Sequence, residues 1–336
     1  MRNNSGLNEL LNNNRFNEAI SLLKNHLVKA EIIDPSNDGS WAPYADQISF
    51  KILSDKGQDA FDTFWGEMLT FFENQLEATW GHLHKGHILF RLGLAKLVDD
   101  VANAKTYLEK ALEEDRLLEK ERAGGETIDI EKVVRKYSSY VMLCIIERIE
   151  DEHFDCDTEK QRFFQELLSP SFDAAIMGRE VKPDLVQESI RHLVPQQAME
   201  QTLEARWELD MAYSQRLQIA TVSLAGAFLE NILLGILYHQ LSLRTVQRKD
   251  LLQIELGPLL KEAIERAVFP SDSIKATCQI IHIFRNRLHP GNEIRQKFKL
   301  TPRVVATLKI LLDLALVEWA RQIAGKKGGQ VSSNSG

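Results

Sequence analysis

Three side chains near the C-terminal end have the types and spacing to do chemistry together. In Phe284-Arg285-Asn286-Arg287-Leu288-His289-Pro290-Gly291-Asn292, Arg285 and His289 stand four residues apart, so on a helix they share a face. A histidine moves protons near neutral pH. An arginine holds concentrated negative charge through paired hydrogen bonds. The same residues also suit a purely structural helix end, where cations offset the carbonyl dipole and Pro290-Gly291 stops the chain. A phosphodiester-cleaving site and a polar helix terminus are therefore both open readings.

Around this string the chain is unusually basic. Arg285, Arg287, Arg295, Lys297, Lys299 and Arg303 fall within 19 residues, opposed only by Glu293, with Phe284 and Phe298 interspersed. Such a cluster attracts phosphate without regard to sequence, and exposed aromatics would add base stacking. Arg287, Arg295, Lys297, Lys299 and Arg303 are thus the candidate nucleic-acid contacts. A solvated basic loop, or a patch that docks the acidic half of a second subunit, is the alternative.

The elements that must position these residues read as helices. A run from about Gln196 to Gln240 predicts one long helix, with "TVSLAGAFLENILLGILYHQ" as the centre of a tight bundle. "GPLLKEAIERAVF" gives a second helix, with Pro258 in its first turn. Ser271 or Asp272 can cap a third, from Ile274 to about His289, and Thr301-Pro302 opens a fourth, to about Gln322. Ile281, Phe284 and Leu288 form one apolar stripe on the third helix. This places Leu288 in the core and leaves Arg287 available to solvent or phosphate.

Composition supports this. Among 336 residues 44% are hydrophobic and 26% charged, with only 9 prolines and 18 glycines. Leu, Ala, Glu and Lys are abundant and strand-like alternation is scarce, which predicts an all-α protein. The three cysteines, Cys144, Cys156 and Cys278, contain no C-x-x-C pair, which argues against a disulfide framework and fits a reducing cytoplasm. The N-terminus has no apolar signal core. The apolar run Ile219–Leu237 contains Glu230 and Asn231, so a buried core helix is expected there and not a membrane span. Charge is divided: from Ala212 onward 17 Lys and Arg face 9 Asp and Glu, a balance of +8, leaving −15 for the rest. This points to different partners for the two parts.

In the N-terminal part, Leu7, Leu10 and Leu11, then Phe16, Ala19, Ile20, Leu23 and Leu27, read as a helical hairpin, and a helix is expected from about Gln58 to Glu77. Gly93 and the series Ala104, Leu108, Ala111 would let two antiparallel helices approach closely, with Leu92 filling the seam. Over residues 5–120 this pattern resembles tetratricopeptide repeats, which implies stacked hairpins with a concave surface for a protein partner. Thr158 is a candidate cap for a later helix. Residues 169–186, with two prolines and a glycine, form the best candidate linker.

The C-terminal part, with Glu230 in its first apolar helix and Arg-Asn-x-x-His-Pro-Gly at the end of its third, resembles a HEPN domain. The form of the string is similar to abortive-infection-like members. The resemblance implies a four-helix bundle over residues 196–325, a homodimer through that bundle, and prokaryotic defence or toxin biology. In active members it also implies metal-independent RNA cleavage. Carried over, Arg285 stabilises the phosphorane, Asn286 orients, and His289 is the acid or base. Fewer residues separate Arg285 from His289 than in active members, so a silent adaptor or RNA-binding module remains the other implication.

The expected organisation is therefore 1–120 tetratricopeptide-like hairpins, 121–195 connecting helices and linker, 196–325 HEPN-like bundle and 326–336 a disordered tail. Neither cofactor nor metal is expected. His84 and His87 have metal-ligand spacing but no carboxylate or cysteine at ligand spacing nearby. "RAGGET" lacks the Lys-Ser/Thr of a phosphate loop. Asp99-Asp100 and Glu113-Glu114-Asp115 read as solvated helix faces.

Overall fold

A computed structural model describes residues 5–29, 42–76, 82–152, 154, 156–240, 255–288 and 295–331. Every regular element among them is a helix, and the protein is all-α. Internal contacts divide the chain into two units, Met1–Leu143 and Cys144–Gly336. The division falls within the helix Ser138–Glu150. The expected linker lies inside the second unit, where Pro170 and Pro183 each open a helix. That is a position at which a missing N–H breaks no helical bond.

The first unit contains α1 (Ser5–Asn12), α2 (Phe16–Lys29), α3 (Ala42–Lys56), α4 (Gln58–Leu76), α5 (His82–Lys96), α6 (Val101–Ala123), the short α7 (Ile130–Val133) and the start of α8 (Ser138–Glu150). From α1 to α6 each helix packs on the next. Phe16, Ile48, Trp65 and Ile88 are among the residues of their shared core. The α5–α6 seam is as tight as the small residues predict. A Cβ on Gly93 would stand 2.7 Å from Leu108 Cγ and 3.2 Å from the Ala104 carbonyl oxygen. Ala104, Leu108 and Ala111 are fully buried. Asp100 caps α6 by accepting from the Asn103 amide, and Gly124, at φ 56°, closes its other end.

One expectation for α6 fails. Glu113 is exposed, but Glu114 and Asp115 are buried, as is Glu119. Gly86 of α5 lets the helices close over this face, since its missing Cβ would lie 3.3 Å from Asp115 Oδ1. Glu114 takes His82 Nδ1 at 2.5 Å and Lys85 Nζ at 2.8 Å. Glu119 takes Tyr137 and Arg122. Asp115 accepts from the hydroxyl of Ser139. Burial pushes the Asp115 carboxyl up to about 7, opposed by the Ser139 bond and reinforced by Glu119 and Glu114.

The second unit holds the end of α8, then α9 (Asp157–Leu167), α10 (Pro170–Ile176), α11 (Pro183–Leu193), α12 (Met199–Ser214), α13 (Gln218–Gln240), α14 (Leu256–Glu265), α15 (Asp272–Asn286) and α16 (Pro302–Val331). The apolar α13 is its centre and packs on α12, α14, α15 and α16. Phe228, Leu229, Ile232 and Leu233 are fully buried. It is long and apolar enough to cross a membrane by composition alone, and 56% of that window is buried within the protein.

The expected single helix 196–240 is broken. Arg216 has φ 58°, and the amide of Leu217 bonds back to the Ala212 carbonyl at 3.0 Å. This is a left-handed helix closure made without glycine, which Gln215-Arg216-Leu217 does not advertise. Thr158 is not a cap either: α9 starts at Asp157 after Cys156, whose side chain makes no capping bond. Ser271 and Thr301 do cap their helices, accepting from Ile274 and Val304. The last helix runs on to Val331, past the point where the composition expects a tail. A buried ion cluster ties α12 to α16. Both terminal nitrogens of Arg206 donate to the Asp313 carboxylate, which also takes Lys309 Nζ at 2.8 Å.

Candidate nucleic-acid interface

The Arg-Asn string ends α15. Ser271 starts that helix and an apolar face of Ile274, Ile281 and Phe284 pins it to the core. The helix ends at Asn286, earlier than expected, because the Arg287 amide closes on the carbonyls of Ile283 and Phe284. Leu288 is half-exposed and does not complete the stripe. His289 lies outside the described residues.

Arg285 donates from Nη1 to Glu230 Oε2 of α13 at 2.8 Å. Gly226, one turn before Glu230, makes room for its stem. A Cβ there would stand 2.4 Å from Arg285 Cδ. The arginine singled out for phosphate is thus already matched to a carboxylate, with a third of its side chain exposed. Asn286 turns back along its own helix, with Nδ2 3.0 Å from His282 Nε2.

His282 was not among the residues the motif suggested. It sits three and four positions before Arg285 and Asn286, a spacing that could have flagged it. Its ring fills the space left by Gly257, whose Cβ would meet Cε1 and Nε2 at 3.0 Å. Its Nδ1 is buried with no partner among the described residues. Burial, and then the charge of Arg285, lower its pKa against the pull of Glu152. Its pKa therefore lies below the ordinary histidine value.

The basic residues separate into two groups. Arg287 turns inward: its Nη2 donates to the Asp151 carbonyl oxygen and lies 3.3 Å from Glu152 Oε2. Arg303 donates from Nη2 to the Ile176 carbonyl at 2.6 Å, at the C-terminus of α10. There a cation offsets the exposed carbonyls, and burial lowers its pKa. Arg287, expected to be available to solvent or phosphate, is instead partly buried. Arg295 and Lys297, by contrast, are exposed, and Lys299 is half-buried. Phe284 and Phe298 are buried, at 1% and 7% exposure, so neither ring is open for base stacking. Arg148 covers Phe284 at 5.1 Å, and Lys297 Nζ stands 5.1 Å from the centre of the Phe298 ring.

Two neighbours at the end of α8 fix the segment that carries these cations. Glu147 accepts from the amides of Lys297 and Phe298 at 2.7 and 2.9 Å, and Arg148 donates to the Phe298 carbonyl at 3.0 Å. Between this segment and α8 lies a cleft of about 250 Å³, lined by Glu147, Asp151, Arg287, Arg295 and Gln296.

Elsewhere, His87 Nε2 lies 3.3 Å from Asp46 Oδ1, and the side chain of His84 lies outside the description. Among the described residues no cluster of three or more His, Cys, Asp or Glu is arranged to hold a metal. Among the described residues Cys144, Cys156 and Cys278 form no disulfide. No family model, no curated protein and no solved structure matches this chain.

Proposed function

We propose that the second unit is a HEPN-like module that binds single-stranded RNA through Arg295, Lys297 and the cleft beside them, and that the protein is an effector or adaptor rather than a nuclease. The observation that carries this reading is the division of the basic cluster. Arg285 is matched to Glu230, while Arg295 and Lys297 remain at the surface. Phosphate is attracted to exposed cations at a rigid surface without any reacting group. The first unit, with successive hairpins packed side by side, is read as tetratricopeptide-like and as the site of a protein partner. Homodimerisation through the bundle and a role in phage defence follow from the HEPN resemblance.

Metal-independent cleavage is the second reading, favoured by His282, Arg285 and Asn286 sharing one end of α15. The test is incubation of the full chain with labelled single-stranded RNA in EDTA. The adaptor reading expects intact RNA held in a complex. Cleavage by the wild type that disappears in His282→Ala or His289→Ala would replace it with the nuclease reading.

A further inference from the structure

The cleft beside Arg295 has a chemistry that the basic cluster alone does not predict. Its lining sets two carboxylates, Glu147 and Asp151, beside Arg287, Arg295 and Gln296, and of the two arginines Arg295 is the exposed one. Gln296 is 5% exposed. Its Nε2 makes one long bond, 3.4 Å to Asp151 Oδ2, and its Oε1 is buried with no donor among the described residues. Arg287, on the same cleft, spends Nη2 on Asp151 and Glu152, while its Nε is buried with no acceptor among the described residues. One cleft therefore contains both an orphan acceptor and an orphan donor. Buried polar atoms without partners are uncommon, since each forgoes the hydrogen bond it had in water.

The two carboxylates leave little room for an anion inside. Glu147 already accepts from the amides of Lys297 and Phe298, one on each oxygen, and Asp151 faces Gln296. A ligand that fits must present a hydroxyl to the interior and a negative charge to Arg295, which is exposed and makes no ion pair among the described residues. A hydroxyl group both donates and accepts, so it has the chemistry to pair with an amide oxygen such as Gln296 Oε1 and with an N–H such as that of Arg287 Nε.

We infer that this cleft is a ribose-phosphate subsite, in which Gln296 and Arg287 read the 2′-hydroxyl and Arg295 holds the adjoining phosphate. The inference rests on the RNA-binding reading above and adds to it a means of distinguishing RNA from DNA, which differ at that hydroxyl. Exposed cations alone would bind both strands alike.

The test uses the full chain and fluorescence anisotropy with labelled single-stranded RNA and DNA of one sequence. The wild type should bind RNA about tenfold more tightly, the scale of one hydrogen bond. Gln296→Met should remove that gap with DNA affinity unchanged, and Arg295→Ala should weaken both strands. Competition by free uridine 5′-monophosphate, but not its 2′-deoxy form, would keep the subsite and make a free nucleotide its ligand. Equal wild-type affinity for RNA and DNA overturns the subsite while leaving RNA binding standing. So does a gap that survives in a folded Gln296→Met. No binding of either strand removes the RNA reading and the subsite with it.

Discussion

Arg285 and Glu230 are 55 positions apart in sequence and 2.8 Å apart in space, with the arginine stem lying over the missing side chain of Gly226. The contact joins the end of α15 to the middle of α13. It uses the guanidinium that phosphate would otherwise recruit.

This pair is partly exposed, so its worth is modest. Arg285→Ala should lower stability by about 1 kcal/mol, typical of such a pair. Gly226→Val, which places methyl groups where the stem lies, should displace Arg285 and cost more than the pair itself, about 1–3 kcal/mol for overpacking. Urea denaturation of both variants and of their combination is the measurement. If the pair and the packing are coupled, the two losses will not add.

The Arg206–Asp313 pair at the centre of the cluster with Lys309 is buried, which changes the magnitude. Asp313→Ala leaves the buried Arg206 and the half-buried Lys309 with the partly exposed Asp210 as their shared carboxylate among the described residues. It should cost about 3–5 kcal/mol, the usual penalty for breaking a buried pair from one side. Replacement of a surface acid such as Glu113 should be nearly neutral. Thermal melts that place both variants at the wild-type midpoint would show that the cluster is not holding α12 to α16.

Asp115 gives the first unit a pH dependence. Its folded pKa, about 7, lies above the ordinary carboxylate range, so the folded state binds the proton more tightly than the unfolded chain. Its contribution is complete at acid pH, below the unfolded value, and is lost as pH rises towards and through about 7. Asp115→Asn should flatten that decline and be the more stable form at pH 8, read by denaturation from pH 5 to 8. A wild type with no loss across that window would contradict the buried, protonated carboxyl.

Local rules made much of this molecule legible. Gly93 with Ala104 and Leu108 announced the closest helix pair, because small residues at helical spacing have few other uses. Ser271 and Thr301 announced their helix starts. The break at Arg216 was hidden, since a left-handed closure is normally signalled by glycine or asparagine. Glu230 and Arg285 were each conspicuous, but their partnership depends on how α13 and α15 cross, which no local spacing encodes. Arg287 and Arg303 looked available because their acceptors are the carbonyls of Asp151 and Ile176. A backbone carbonyl has no signature in residue type. Glu114 and Asp115 looked solvated for the converse reason, as their partners His82, Lys85 and Ser139 come from other helices.

The central claim, that the surface cations bind RNA electrostatically, is tested most directly by the salt dependence of binding. Affinity for single-stranded RNA should be measured by anisotropy across a salt series, for the wild type and for Arg295→Ala/Lys297→Ala. The account predicts binding that weakens steeply with salt, and a logarithmic slope shallower in the double variant by about 0.7 for each lost phosphate contact. Identical slopes and affinities for the two proteins, or no binding by the wild type at low salt, would contradict it.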